Sequence, residues 1–231
     1  MTEPNSETRQ EILSSIREHL AASKRFDAHA AHSQMARPRP KSNSARDSHD
    51  GTVLELFRQA LEAVSGHCST VRSIDEAAGA VQQIIEDRKA QRVAVSDSTL
   101  VKEILARLKT EAVFLDAPTQ SELFDCDMGL TTAQWAIAET GTLVLESERE
   151  HHRLASLVPP VHVAIVEANR IRRTMSDVLE LIKNSDVGLS RTVTFITGPS
   201  RTSDIELTLA IGVHGPGELH VIVIDEPTQP A

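Results

Sequence analysis

A chain of 231 residues, 40% hydrophobic and 25% charged, is long enough to bury a full core in one domain, or in one domain with an appendage. A formal net charge of −9, five Phe, one Trp and no Tyr weigh against a nucleic-acid partner, which calls for positive charge and aromatic stacking platforms. Cys68 and Cys126 lie far apart with no CxxC, so they cannot by themselves hold a zinc ion or an iron–sulfur cluster, and they read as buried reduced thiols. The charge is uneven. Residues 1–50 carry eight Lys/Arg against seven Asp/Glu, and the remainder carries sixteen against twenty-six. An anionic ligand would therefore need a local cationic pocket. No stretch approaches the roughly 20 apolar residues of a membrane span. Residues 1–25 lack the apolar segment of a secretion signal, so the expected location is cytoplasmic.

Along the chain, Ile12, Leu13, Ile16 and Leu20 predict an amphipathic helix over 8–21, which must dock elsewhere to bury its stripe. Residues 27–50, interrupted by Pro38-Arg39-Pro40, read as a disordered linker, and His29, His32 and His49 as solvated rather than metal-binding. Residues 1–51 are thus an appendage and 52–231 the main domain. Val53, Leu54, Phe57, Leu61 and Val64 predict the domain's first helix. Ser73 and Glu76 have capping-box spacing before a second helix carrying Ala77, Ala80, Val81, Ile84 and Ile85. The run 92–97 predicts a strand, Asp97 or Ser98 caps a third helix with Val101, Ile104, Leu105 and Leu108, and 112–116 is the next strand. Strand–helix–strand alternation implies an α/β fold with a mainly parallel sheet and flanking helices.

Beyond Met128 the texture becomes strand-rich. Segments 135–138 and 142–145 flank Glu139-Thr140-Gly141, a turn or bulge. A short helix is expected over 149–157. The nearly unbroken apolar run 161–166 suits a central strand covered on both faces. A helix over 174–184, a strand over 193–197, the Gly198-Pro199-Ser200 turn and a final strand over 219–224 complete the reading. No Gly-x-Gly-x-x-Gly follows the first strand and no Gly-x4-Gly-Lys-Ser/Thr occurs, so neither nucleotide-binding loop is supported.

Gly129-Leu130-Thr131-Thr132-Ala133 and the block from Ala136 to Leu145 resemble the signature of the LutC/YkgG family, or LUD domain. The stretches 153–159, 196–206 and 212–216 agree with it in order, and the likeness spans roughly residues 52–226. The resemblance implies a fold like that of the NagB/RpiA/CoA-transferase group. It also implies a part in oxidising L-lactate to pyruvate beside iron–sulfur and cysteine-rich companions (LutA/LutB-like). The cluster-free member of such a set binds no cofactor of its own, and iron–sulfur clusters are expected in the partners. The likeness brings no catalytic residue with it. The alternative reading is a stand-alone enzyme of CoA-transferase or sugar-phosphate-isomerase type, acting on a phosphorylated or CoA-linked small molecule.

Two motifs carry the candidate chemistry. In Gly198-Pro199-Ser200-Arg201-Thr202, glycine permits close backbone approach, Ser200 and Thr202 offer hydroxyls, and Arg201 offers a fork suited to carboxylate or phosphate. Following a strand, the loop is expected at the ligand-binding carboxyl end of the sheet, with Asp204 and Glu206 steadying Arg201. A tight turn with a surface ion pair is the plainer role. In Glu139-Thr140-Gly141-Thr142 the carboxylate can act as nucleophile, general base or ligand acceptor, or simply bond to turn amides. His214, between Gly212 and Pro216, can face the same crevice and serve as acid–base, or be bonded structurally. Glu139 and His214 are the catalytic candidates, and no spacing calls for a metal.

Overall fold

The structure is a computed structural model that describes residues 13–15, 17–18, 52–148, 153–185, 188, 190–203, 209–212 and 214–226. Its contacts divide the chain into two units, residues 1–49 and 50–231. In the first, residues 13–15 and 17–18 are helical and exposed, inside the helix expected over 8–21. The linker and its three histidines lie outside the described residues.

The second unit runs α1 (Val53–Ala63), β1 (His67–Val71), α2 (Ile74–Arg88), β2 (Arg92–Val95), α3 (Thr99–Leu105), β3 (Val113–Asp116), α4 (Gln120–Phe124), β4 (Met128–Thr132), β5 (Trp135–Ile137) and β6 (Thr142–Glu146). It continues through β7 (Val161–Glu167), β8 (Ile171–Arg172), α5 (Met175–Lys183), β9 (Val193–Ile196), β10 (Arg201–Ser203), β11 (Leu209–Ile211) and β12 (Glu218–Ile224). Side-chain caps start the helices where the sequence places them. Ser98 Oγ accepts from Val101 N, and Thr174 and Asp177 form a reciprocal box at α5. Ser73 Oγ accepts from Glu76 N, but the Glu76 carboxylate reaches back to Arg72 N at 2.7 Å, one residue beyond the cap.

Six strands form a wholly parallel sheet in the order β1-β12-β7-β4-β2-β3. β7 is central, and six of its seven residues are buried, as its apolar run requires. One face packs Leu130, Val163 and Ile165 against α2 and α3. The other packs Ala164, Val166 and Val221 against α1 and a second sheet, ordered β8-β5-β6-β9, in which β6 runs antiparallel to both neighbours. α5 covers the far side of that second sheet through Val178 and Ile182. β10 and β11 form a separate antiparallel hairpin.

The eleven residues of α1 are too few for a stable helix alone. Burial of Phe57 and Leu61, about 1.5–3 kcal/mol each, holds it in place. Several elements escaped the sequence reading, among them β1, α4, β8, β10 and β11. β1 is an edge strand paired only to β12, so His67-Cys68-Ser69-Thr70 shows no apolar alternation. Within the expected helix 149–157, residues 153–156 form a single 3₁₀ turn. Cys126 is buried as expected, whereas Cys68 on β1 is half-buried.

Candidate functional site

The two signature motifs meet, through threonines rather than through their charged residues. The Glu139-Thr140-Gly141 turn joins β5 to β6, and β9 pairs with β6 so that the end of one motif lies beside the other. Thr140 Oγ1 and Thr142 Oγ1 lie 2.7 Å apart, as do Thr142 Oγ1 and Thr197 Oγ1, forming a chain of three hydroxyls. Both glycines press on the carboxyl end of α1. Gly141 has φ +63°, and a Cβ there would stand 2.3 Å from Leu61 N. Gly198 has φ +78°, and its Cβ would stand 2.6 Å from Val64 O. Arg201 Nη2 then donates to Val64 O and Ser65 Oγ, both at 2.7 Å, satisfying a carbonyl that the helix end leaves open. The motifs thus build a seat for α1.

Glu139 is exposed, and its Oε1 accepts from Met175 N at 3.0 Å, at the first residue of α5. Such a carboxylate is an acceptor for helix amides, the plainer of its expected roles, and it lines neither cleft described below. Thr202 belongs to β10 opposite Ala210. Asp204 and Glu206, the expected partners of Arg201, lie outside the described residues.

Gly198, Pro199 and Ser200 line a cleft of about 340 Å³ together with His214, which the sequence expected on the same crevice. Its position differs from expectation. The preceding strand, β9, is an edge of the second sheet, so its loop lies by the amino ends of β7 and β12, near His162 and Leu219. The rule that ligands gather at carboxyl ends applies to parallel strands, and β9 is not in the parallel sheet. Much of the lining, including Leu157, Phe195 and Ile196, is apolar. Ser200 N, a candidate anion donor, is already given to Pro216 O at 2.8 Å. His162 is buried and bonded to Thr131 Oγ1 at 2.9 Å, and desolvation pulls its pKa down to about 3. It stays neutral at physiological pH.

A second cleft, of about 370 Å³, was not foreseen from sequence. It is walled in part by Ser98 and Thr99 after β2, by Thr132 at the end of β4 and Gln134 beyond it, and by Glu167 at the end of β7 and Arg170 beyond it. These are carboxyl ends of neighbouring parallel strands. From β2 the chain continues through α3 to β3 on one side, and from β4 it leaves toward β7 on the other. The cleft therefore sits at the sheet's topological switch point, the favoured ligand position in such folds. At the end of β2, Ser96 Oγ is buried without a hydrogen-bond partner among the described residues. The available signal was Thr131-Thr132 and Ser98 at strand ends, but only the strand order shows that these ends adjoin. Among the described residues no group of three or more His, Cys, Asp or Glu side chains is placed to hold a metal. Burial pushes the Cys68 thiol up to about 11, away from thiolate chemistry.

The sequence pattern of the LUD domain matches residues 54–224. The chain belongs to the LUD domain family. Within it, this LUD chain is 29% identical to lactate utilization protein C of Halalkalibacterium halodurans, over 73% of its own length and 80% of the relative's. It is 40% identical to lactate utilization protein C of Deinococcus radiodurans, over 48% of this chain and 54% of that one. An uncharacterized protein of Neisseria meningitidis serogroup B is 42% identical over 46% of each chain. The matched stretch thus spans about half the length of the Neisseria and Deinococcus relatives. A crystal structure of a DUF162 family protein from Deinococcus radiodurans superposes with a TM-score of 0.57, at 24% identity, over 74% of this chain and 96% of that one. That likeness gives the LUD chain the same fold. No helix among its described residues is long and apolar enough to cross a membrane.

Proposed function

We propose that this chain is a cytoplasmic component of a lactate utilization system, supporting oxidation of L-lactate to pyruvate as a small-anion-binding or partner-docking subunit. The observation that carries the proposal is the match to a lactate utilization protein C along 73% of this chain and 80% of the relative. Oxidation of lactate releases two electrons and two protons. In this reading the electrons pass to iron–sulfur clusters in cysteine-rich, LutA/LutB-like partners, and this chain supplies no redox centre. Its two cysteines are compatible with that role, being a half-buried thiol on β1 and a buried thiol in the loop between α4 and β4. Gly198, Pro199, Ser200 and His214 shape the amino-end cleft. Glu139, Thr140, Gly141, Thr142 and Arg201 hold that loop, α1 and α5 in register, and Thr202 continues it into β10.

The test is co-purification with the cluster-bearing partners followed by L-lactate-dependent reduction of an electron acceptor, with and without this chain. The expected result is loss of reduction without it, and loss of growth on L-lactate in a deletant. A deletant without paralogues that grows normally on L-lactate would overturn the proposal.

A further inference from the structure

We infer that the switch-point cleft is the anion site of this chain, and that its ligand is a hydroxycarboxylate of roughly three to six carbons. The inference rests on the proposed function for the choice of hydroxy acid over other carboxylates. The location rests on geometry alone.

Among the described residues the cleft holds one cation and one anion, Arg170 and Glu167, about half-exposed where the chain leaves β7. They lie 3.5 Å apart, through Arg170 Nε only. Among the described residues the two Nη groups of Arg170 have no hydrogen-bond partner. Its guanidinium carbon instead lies over the Trp135 ring, 5.2 Å from the centroid, and that of Arg172 lies 5.1 Å from the same centroid, both within cation–π range. Trp135 is fixed in turn, its Nε1 donating to Glu146 Oε1 at 3.1 Å. The result is a planar fork anchored beside Trp135 and Glu167 with its outer donors unspent among the described residues, which matches a carboxylate.

Glu167, when ionised, can only accept hydrogen bonds, and Arg170 is its one described partner. A ligand hydroxyl beside the carboxylate satisfies it, whereas a carbonyl at that carbon does not. The remaining described lining is uncharged, polar at Ser98, Thr99, Thr132 and Gln134 and apolar at Leu100, Ala133 and Ile165, with Gln134 Oε1 tied to Glu146 N at 2.7 Å and Nε2 directed to Thr132 Oγ1 at 3.4 Å. Such a wall suits additional ligand hydroxyls. At about 370 Å³ the cleft is at the small end of metabolite pockets, about 300–1,000 Å³. Among the described residues, the amino-end cleft has no arginine or lysine in its lining.

The test uses the full chain, titrated by calorimetry with L-lactate, L-malate and D-gluconate, and with pyruvate and L-alanine for comparison. Trp135 is the only tryptophan, so its emission reports directly on Arg170. At least one hydroxy acid is expected to bind and shift that emission, more tightly than pyruvate or L-alanine. Arg170→Met should weaken binding at least tenfold, about 1.4 kcal/mol, with an unchanged circular dichroism spectrum. Glu167→Gln, an independent variant, should narrow the preference for hydroxy acid over pyruvate. Binding by no hydroxy acid, native affinity in Arg170→Met, tighter binding of L-alanine, or loss of binding in His214→Ala with Arg170→Met unaffected would each overturn the assignment. If deletion abolishes growth on L-lactate while an Arg170→Met strain grows normally, the proposed function stands and the cleft assignment falls. If a deletant grows normally while purified chain binds through Arg170, the reverse holds.

Discussion

Replacing Gly141 with alanine tests whether the signature turn is a seat for α1. The residue has φ +63°, a conformation that costs a side-chain-bearing residue about 1–2 kcal/mol. The new Cβ would lie 2.3 Å from Leu61 N and 2.6 Å from Ala60 C. Both are main-chain atoms of a helix whose buried Phe57 and Leu61 are locked in the core, so no rotamer change relieves the clash. Overpacking of this kind costs about 1–3 kcal/mol. The combined loss is about 2–5 kcal/mol, a fall in melting temperature of roughly 5–15 °C for a domain of this size. The assay is thermal unfolding followed by circular dichroism and by the single tryptophan. Gly79→Ala is the control: it sits exposed within α2 with nothing within 4 Å of its Cβ, and should raise stability by about 0.5–1 kcal/mol. A Gly141→Ala variant that melts with the native chain would refute the seat.

Arg201→Ala should cost about 1 kcal/mol of stability by unpairing Val64 O and Ser65 Oγ, measured by urea unfolding; a loss of ligand affinity with unchanged stability would instead favour a direct anion contact. Glu146→Ala strips the acceptor from Trp135 Nε1 and Ser190 Oγ in a buried setting, and should destabilise by about 1–3 kcal/mol and shift tryptophan emission. His162 has a folded-state pKa of about 3 against about 6.5 when unfolded, so between those values the unfolded state binds the extra proton. Its share of stability is therefore complete above about pH 6.5 and falls with acidification, by up to about 1.4 kcal/mol per pH unit. A His162→Gln variant should show a shallower acid limb in unfolding measurements from pH 7 to 4; identical slopes would count against a neutral buried histidine.

How far sequence reaches differs between elements. Periodicity and capping residues located α1, α2, α3, α5 and β7, because a helix face or a doubly covered strand writes its burial into consecutive residues. β1 was illegible, since an edge strand of polar residues gains its place only by pairing with β12, about 150 positions away. The motifs were legible as blocks, but their partners were not. Nothing local in Glu139-Thr140-Gly141-Thr142 indicates that its glycine faces Leu61 N, or that its carboxylate caps α5.

Sequence alone carried the α/β class, the family and the capping residues of α2 and α3. These follow from short-range patterns and from ordered blocks of residues. Where chemistry can occur depends on how distant strands come together. Strand order placed the Gly198 loop at the amino ends of the parallel sheet and brought Ser98, Thr132, Glu167 and Arg170 together at its carboxyl ends. That adjacency depends on which strands pair, a long-range choice set by packing of both sheet faces, and no window of the chain contains it.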